Sequence, residues 1–171
     1  MPVEILGGFQ LMKIDKIRYT KTLNRILGEI IREAVREWLR AVLKSVPERG
    51  GFPVLTGAAK SSLAPLARYI KNVSIGDITP TGRLDRRAEG EKSATFEIVD
   101  GKGGADFIYQ FSWSTTLLHY YINEYNQMPG VAGSPWHSAD KGEAAMKEYV
   151  AEALRRRLPK ISEYIQFVVV R

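Results

Sequence analysis

From residue 20 to residue 46, apolar side chains recur three and four positions apart: Leu23, Ile26, Leu27, Ile30, Ile31, Ala34, Val35, Trp38, Leu39, Val42 and Leu43. That spacing predicts one long amphipathic helix with a buried stripe. Pro47 and the pair Gly50-Gly51 end it. Thr56 is a candidate N-cap, because its hydroxyl can accept from a first-turn amide that has no helical partner. Residues 57–71 predict a second, shorter helix with Leu63, Leu66, Ala67 and Ile70 inward, kinked or interrupted at Pro65.

Beyond residue 72 the period changes. Residues 73–75, 94–99 and 107–113 have the short alternating pattern of strands, with Phe96 and Ile98, then Phe107, Tyr109, Phe111 and Trp113, at period two. The glycine-rich stretch 100–104 predicts a turn that makes the last two an antiparallel hairpin. Between the first two lies 76–93, long, polar and nearly balanced in charge, which predicts a projecting loop or hairpin. Residues 117–125 are apolar and aromatic without a clear period. A Gly/Pro loop then leads into a helix over 136–158, with Ala139, Ala145, Met146, Tyr149, Val150, Ala153 and Leu154 inward. Pro135 suits its first position and Pro159 stops it. The tail, 160–171, reads as helix through Ile161, Tyr164, Ile165 and Val168, and as strand through Phe167-Val168-Val169-Val170. Residues 1–19 are weakly patterned and predict an arm or an edge strand. The order implies a single α+β domain over 1–171: a long N-terminal helix and a C-terminal helix packed on one face of a small antiparallel sheet of three strands or more.

Composition narrows the function classes. No apolar run nears the roughly 20 residues a membrane-spanning helix needs. Residues 1–8 lack the basic and apolar regions of a secretory signal. With no cysteine, disulfides and thiolate metal sites are excluded, and a reducing compartment suits the chain. The net charge is +6, so contact with an acidic partner such as DNA is favoured.

Catalytic chemistry has no visible support in the motifs. There is no G-x-S-x-G elbow and no phosphate-binding loop. Gly101-Lys102-Gly103-Gly104 joins two strands and so lacks a helix dipole. His137 and Asp140 share a helix face, but a metal site would need Glu124 or His119 as well, and the simpler role for the pair is at the helix N-terminus. No metal and no cofactor is expected. On the first helix, Glu29, Glu33 and Glu37 each precede an arginine by three, which predicts a solvated ladder to Arg32, Arg36 and Arg40. Arg155-Arg156-Arg157 exceeds what a helix C-terminus needs and is a candidate contact for DNA or an acidic partner.

Three segments carry a resemblance. Thr56-Gly57-Ala58-Ala59-Lys60-Ser61-Ser62 follows the long helix, Tyr120-Tyr121-Ile122-Asn123-Glu124-Tyr125 follows the strands, and Pro135-Trp136-His137-Ser138-Ala139 opens the last helix. In this order they resemble the tail-completion (neck) proteins of tailed bacteriophages, the group that includes minor tail protein Z. Ala58 and Ala59 replace the usual arginine and leucine, and no glycine follows soon after Glu124. The resemblance covers 20–158. It implies a structural virion protein, not an enzyme, assembled in the host cytoplasm. It implies a ring of copies of the chain, commonly six, between the head-completion connector and the tail terminator or tail-tube proteins, with DNA passing through the lumen. Thr56, Gly57, Ser61, Ser62, Tyr121, Glu124, Pro135, Trp136 and Ala139 are the motif-matched interface candidates. A tail terminator capping the tail tube, and a basic nucleic-acid-binding module, remain open as alternatives.

Overall fold

The structure, a computed structural model, describes residues 9–44, 54–101, 108–116 and 138–170. Its elements run β1 (Phe9–Ile14), α1 (Lys16–Leu43), α2 (Ala58–Ser61), α3 (Ala64–Ile70), α4 (Arg87–Ser93), β2 (Ala94–Asp100), β3 (Tyr109–Thr115), α5 (Ser138–Arg157), a 3-10 turn (Ile161–Tyr164) and β4 (Ile165–Val170). The fold is α+β, and the long α1 packs against both the C-terminal helix α5 and the β2–β3 sheet.

Helix α1 is the spine, about 42 Å long at 1.5 Å per residue. It starts at Lys16, four residues ahead of the predicted start, because Asp15 caps it: the carboxylate accepts from Arg18 N at 3.0 Å. Its apolar residues serve two cores. Ile26 and Ile30 meet Ala153, Tyr149, Val150 and Leu154 of α5. Val35, Trp38, Leu39 and Val42 meet Ala59, Leu63, Leu66, Ala67 and Ile70 of the α2–α3 segment. The predicted single helix over 57–71 is two helices, with Pro65 in the first turn of α3, where its missing N–H costs no helical bond.

Strands β2 and β3 pair antiparallel from Ala94↔Thr115 to Asp100↔Tyr109. Phe96, Ile98, Phe111 and Trp113 pack inward, and Trp38 meets the Phe111 ring edge-on at 5.1 Å. Thr95, Glu97, Gln110, Ser112 and Ser114 face out. Among the described residues, the expected single sheet of three or more strands is two separate two-stranded sheets, β2–β3 and β1–β4. Residues 73–75 form no ladder. Val73 and Ile75 are half-buried on the core, so their alternation is real, but among the described residues no strand pairs with them.

The first and last of the described strands come together. β1 pairs antiparallel with β4 from Phe9↔Val170 to Ile14↔Ile165, and Asp15 N continues the line to Tyr164 O at 2.9 Å. The tail thus settles as a 3-10 turn followed by a strand. Tyr19 on α1 packs edge-on against Tyr164 with centroids 5.3 Å apart, and the Arg18 guanidinium lies over the same Tyr164 ring. The arm expected over residues 1–19 is therefore strand over 9–14 and helix from 16. Residues 76–93 are not a projecting hairpin. Their second half is α4, and their first half is bonded back onto residues 54–56.

Candidate functional site

The Thr-Gly-x-x-x-Ser-Ser segment builds a buried junction. Gly57 sits in the left-handed region at φ 78°, ahead of α2, where only glycine is free of strain. A Cβ there would stand 2.6 Å from Arg87 Cγ and 3.0 Å from Ile78 O. Thr56 does cap, but one residue ahead of the geometric N-cap: its hydroxyl accepts from Ala58 N at 3.3 Å. Ser61 N donates to Gly57 O at 2.9 Å. Ser61 and Ser62 are both 1 % exposed. Ser62 Oγ donates to Ala59 O at 2.6 Å, whereas Ser61 Oγ has no hydrogen-bond partner among the described residues. Helix α4 seats on this junction through Gly90, whose backbone lies against Ala58.

A second cluster joins α1 to α5. Arg157 forks across Glu29 and Glu33, with Nη1 2.9 Å from Glu33 Oε2, and the Tyr149 hydroxyl donates to Glu33. Burial first, then the Glu33 contact, pushes the Tyr149 hydroxyl above its ordinary range. Arg32 donates to Asp100 at 2.5 and 2.8 Å, tying the spine to the end of β2, and Tyr109 OH donates to Asn24 Oδ1 at 2.6 Å. A shallow cleft of about 350 Å³ lies here, lined by Asn24, Arg25, Gly28, Glu29, Arg32 and Asp100. Its one β2 carboxylate, Asp100, is engaged by Arg32.

These pairings correct the expected surface ladder on α1. Only Glu37–Arg40 forms as an i,i+3 pair, while Glu29 also takes Arg25 four residues before it. Arg36 donates to the carbonyls of Ile70 and Lys71, and Arg40 to that of Asn72. The Arg155–Arg157 run divides likewise. Arg157 is spent on the α1 clamp, the exposed Arg156 pairs with Glu152, and Arg155 is exposed beside it.

Of the motif-matched residues, the structure brings together Thr56, Gly57, Ser61 and Ser62. Ala139 falls in the first turn of α5. Tyr121, Glu124, Pro135 and Trp136, with His119 and His137, lie outside the described residues. Sequence reasoning missed Gly90 and Gly142, which allow close approach: a Cβ at Gly142 would meet Trp38 at 2.7 Å. For Gly142, a glycine inside the helix predicted over 136–158 was the available signal; Gly90 fell in a predicted loop and gave none.

Among the described residues, no group of three His, Cys, Asp or Glu side chains is placed to hold a metal ion. None of the described helices is long and apolar enough to cross a membrane. Comparison with protein-family models, with curated proteins and with solved structures finds no match to this chain.

Proposed function

We propose that this chain is a structural subunit of a tailed-phage virion, a neck or tail-completion protein that joins copies of itself into a ring between the head-completion connector and the tail. The observation that carries the reading is the position of the Thr56–Ser62 segment. Four residues of the resemblance, Thr56, Gly57, Ser61 and Ser62, build a buried junction among α1, α2, α3 and α4. That suits an assembly part, whose working surfaces are its outside, better than an enzyme.

Two further features support it. A closed ring needs two different surfaces on each subunit. Each two-stranded sheet has strand edges with no ladder partner among the described residues, and such edges can add a strand from a neighbour. The basic balance of +6 suits a lumen that passes DNA.

The test is light scattering behind size-exclusion chromatography over a concentration series, with electron microscopy of virions carrying a labelled copy. A ring-sized oligomer located at the head–tail junction is expected. A protein that stays monomeric at every concentration and is missing from particles would overturn the reading.

A further inference from the structure

Residues 72–86 leave α3 through two consecutive non-glycine residues at positive φ, Lys71 at 60° and Asn72 at 58°. Lys71 pairs that φ with ψ 169°, a region glycine alone occupies with ease. Such backbone persists only where its surroundings impose it. Here two guanidinium groups of α1 impose it. Arg36 donates to Ile70 O at 3.0 and 3.2 Å and to Lys71 O at 3.3 Å, and Arg40 donates to Asn72 O at 3.1 Å. Three successive carbonyls are gripped in this way.

The chain beyond forms neither helix nor ladder up to residue 86 and bends at 81–83. It is fastened at four separate points: Lys60 Nζ to Asp77 O at 2.8 Å, Thr81 N and Oγ1 to Val54 O at 3.3 and 2.6 Å, Gly82 N to Leu55 O at 2.8 Å, and Arg86 N to Thr56 O at 2.9 Å. Val73 and Ile75 are its apolar anchors, half-buried on the core. Asp77, Thr79, Arg83, Leu84 and Asp85 are exposed.

We infer that residues 72–86 form a latched strap that opens as a unit while α1, α3 and the β2–β3 hairpin stay folded, with Arg36 and Arg40 as the latch and Lys71–Asn72 as the hinge. Few buried apolar contacts and many exposed backbone bonds mark a segment with low local stability. Opening also releases two residues from disfavoured backbone, so part of what is lost in bonds is recovered at the hinge. It uncovers the carbonyls of Val54, Leu55 and Thr56 and frees Lys60, whose ammonium burial pushes below its ordinary range, a shift that Asp77 partly offsets. The device is independent of the proposed function.

Native-state hydrogen exchange on the full chain, at graded urea below the unfolding transition, tests it. The amides of Thr81, Gly82 and Arg86 are expected to exchange through an opening almost independent of urea, about 100-fold or more faster than those of Val35 and Leu39. Lys71→Gly should slow strap exchange about fivefold, the strain relieved outweighing the freedom that glycine adds to the open chain. The double variant Arg36→Gln/Arg40→Gln should speed it about tenfold. If that variant does not fold, the wild type and Lys71→Gly decide. Strap amides that share the rate and urea dependence of Val35 and Leu39, or that fail to slow in Lys71→Gly, would overturn the inference.

Discussion

Replacing Gly90 with alanine sets helix propensity against packing. On propensity alone, glycine to alanine inside a helix stabilises by about 1 kcal/mol. The contact says the opposite. A Cβ at Gly90 would lie 2.0 Å from Ala58 O and 2.6 Å from Ala58 C and Cα, where ordinary contact begins at 3.4 Å. The gap must therefore widen by more than one ångström. Ala58 has little room to yield, being 1 % exposed, with its carbonyl accepting from Ser62 N at 3.1 Å. Overpacking a close-fitted site costs about 1–3 kcal/mol, and a backbone obstacle places this one at the upper end. The net is a loss of about 2 kcal/mol. With a urea slope of about 2 kcal/mol/M, the unfolding midpoint falls by about 1 M and the slope is unchanged. Gly76→Ala is the control: its Cβ meets only Lys60 Nζ at 3.6 Å, so its cost is the left-handed backbone, about 1 kcal/mol. Equilibrium urea unfolding followed by circular dichroism measures both. A Gly90→Ala midpoint at or above wild type would refute the seating of α4 on α2.

Three other outcomes follow from the same geometry. In a double-mutant cycle of Glu33→Gln and Arg157→Gln, thermal or urea unfolding should give a coupling of about 0.5–1 kcal/mol, held low because both side chains are about a third exposed; zero coupling would remove the clamp. The Thr79 hydroxyl and amide hold the Asp77 carboxyl below its usual range, so its contribution is present above the unfolded value near about 3.9 and disappears as pH falls through the lower folded value. Protection of the Thr79 amide should then stay level from neutral pH to about 4 and decline only below that, a decline missing in Asp77→Asn; a decline between pH 7 and 5 would contradict the assignment. Ser61→Ala deletes an enclosed hydroxyl whose oxygen finds no acceptor or donor among the described residues, so the melting temperature should hold or rise, and a drop of several degrees would reveal a partner for it.

The residues explain what could be read in advance. The α1 stripe and the β2–β3 alternation were legible because burial there follows one helix or one hairpin. Pro65 marked a true break because its effect is local to the chain. Helix α4 was not legible: Arg87-Ala88-Glu89-Gly90-Glu91-Lys92-Ser93 has no apolar period, and its helix rests on a neighbour's backbone. The charges misled for a related reason. Arg32 and Arg36 had plausible partners three residues away, yet they bond to Asp100 and Ile70, at separations of 68 and 34 residues, and Arg157 reaches Glu33 across 124 residues. Periodicity carries no information at those distances. For the candidate site, the Thr-Gly pair was visible as a helix start, but that Gly57 is hemmed in by Arg87 and Ile78 depends on a strap whose course no local pattern encodes.

The ladder from Phe9↔Val170 to Ile14↔Ile165 bears on how the chain is made. On the ribosome, the spine helix emerges early with Ile26 and Ile30 bare, and their cover, around Ala153, is more than a hundred residues behind. The β1–β4 ladder waits longer still, for residues 165–170, and a nascent chain arrested before α5 has emerged keeps Ile26 and Ile30 uncovered.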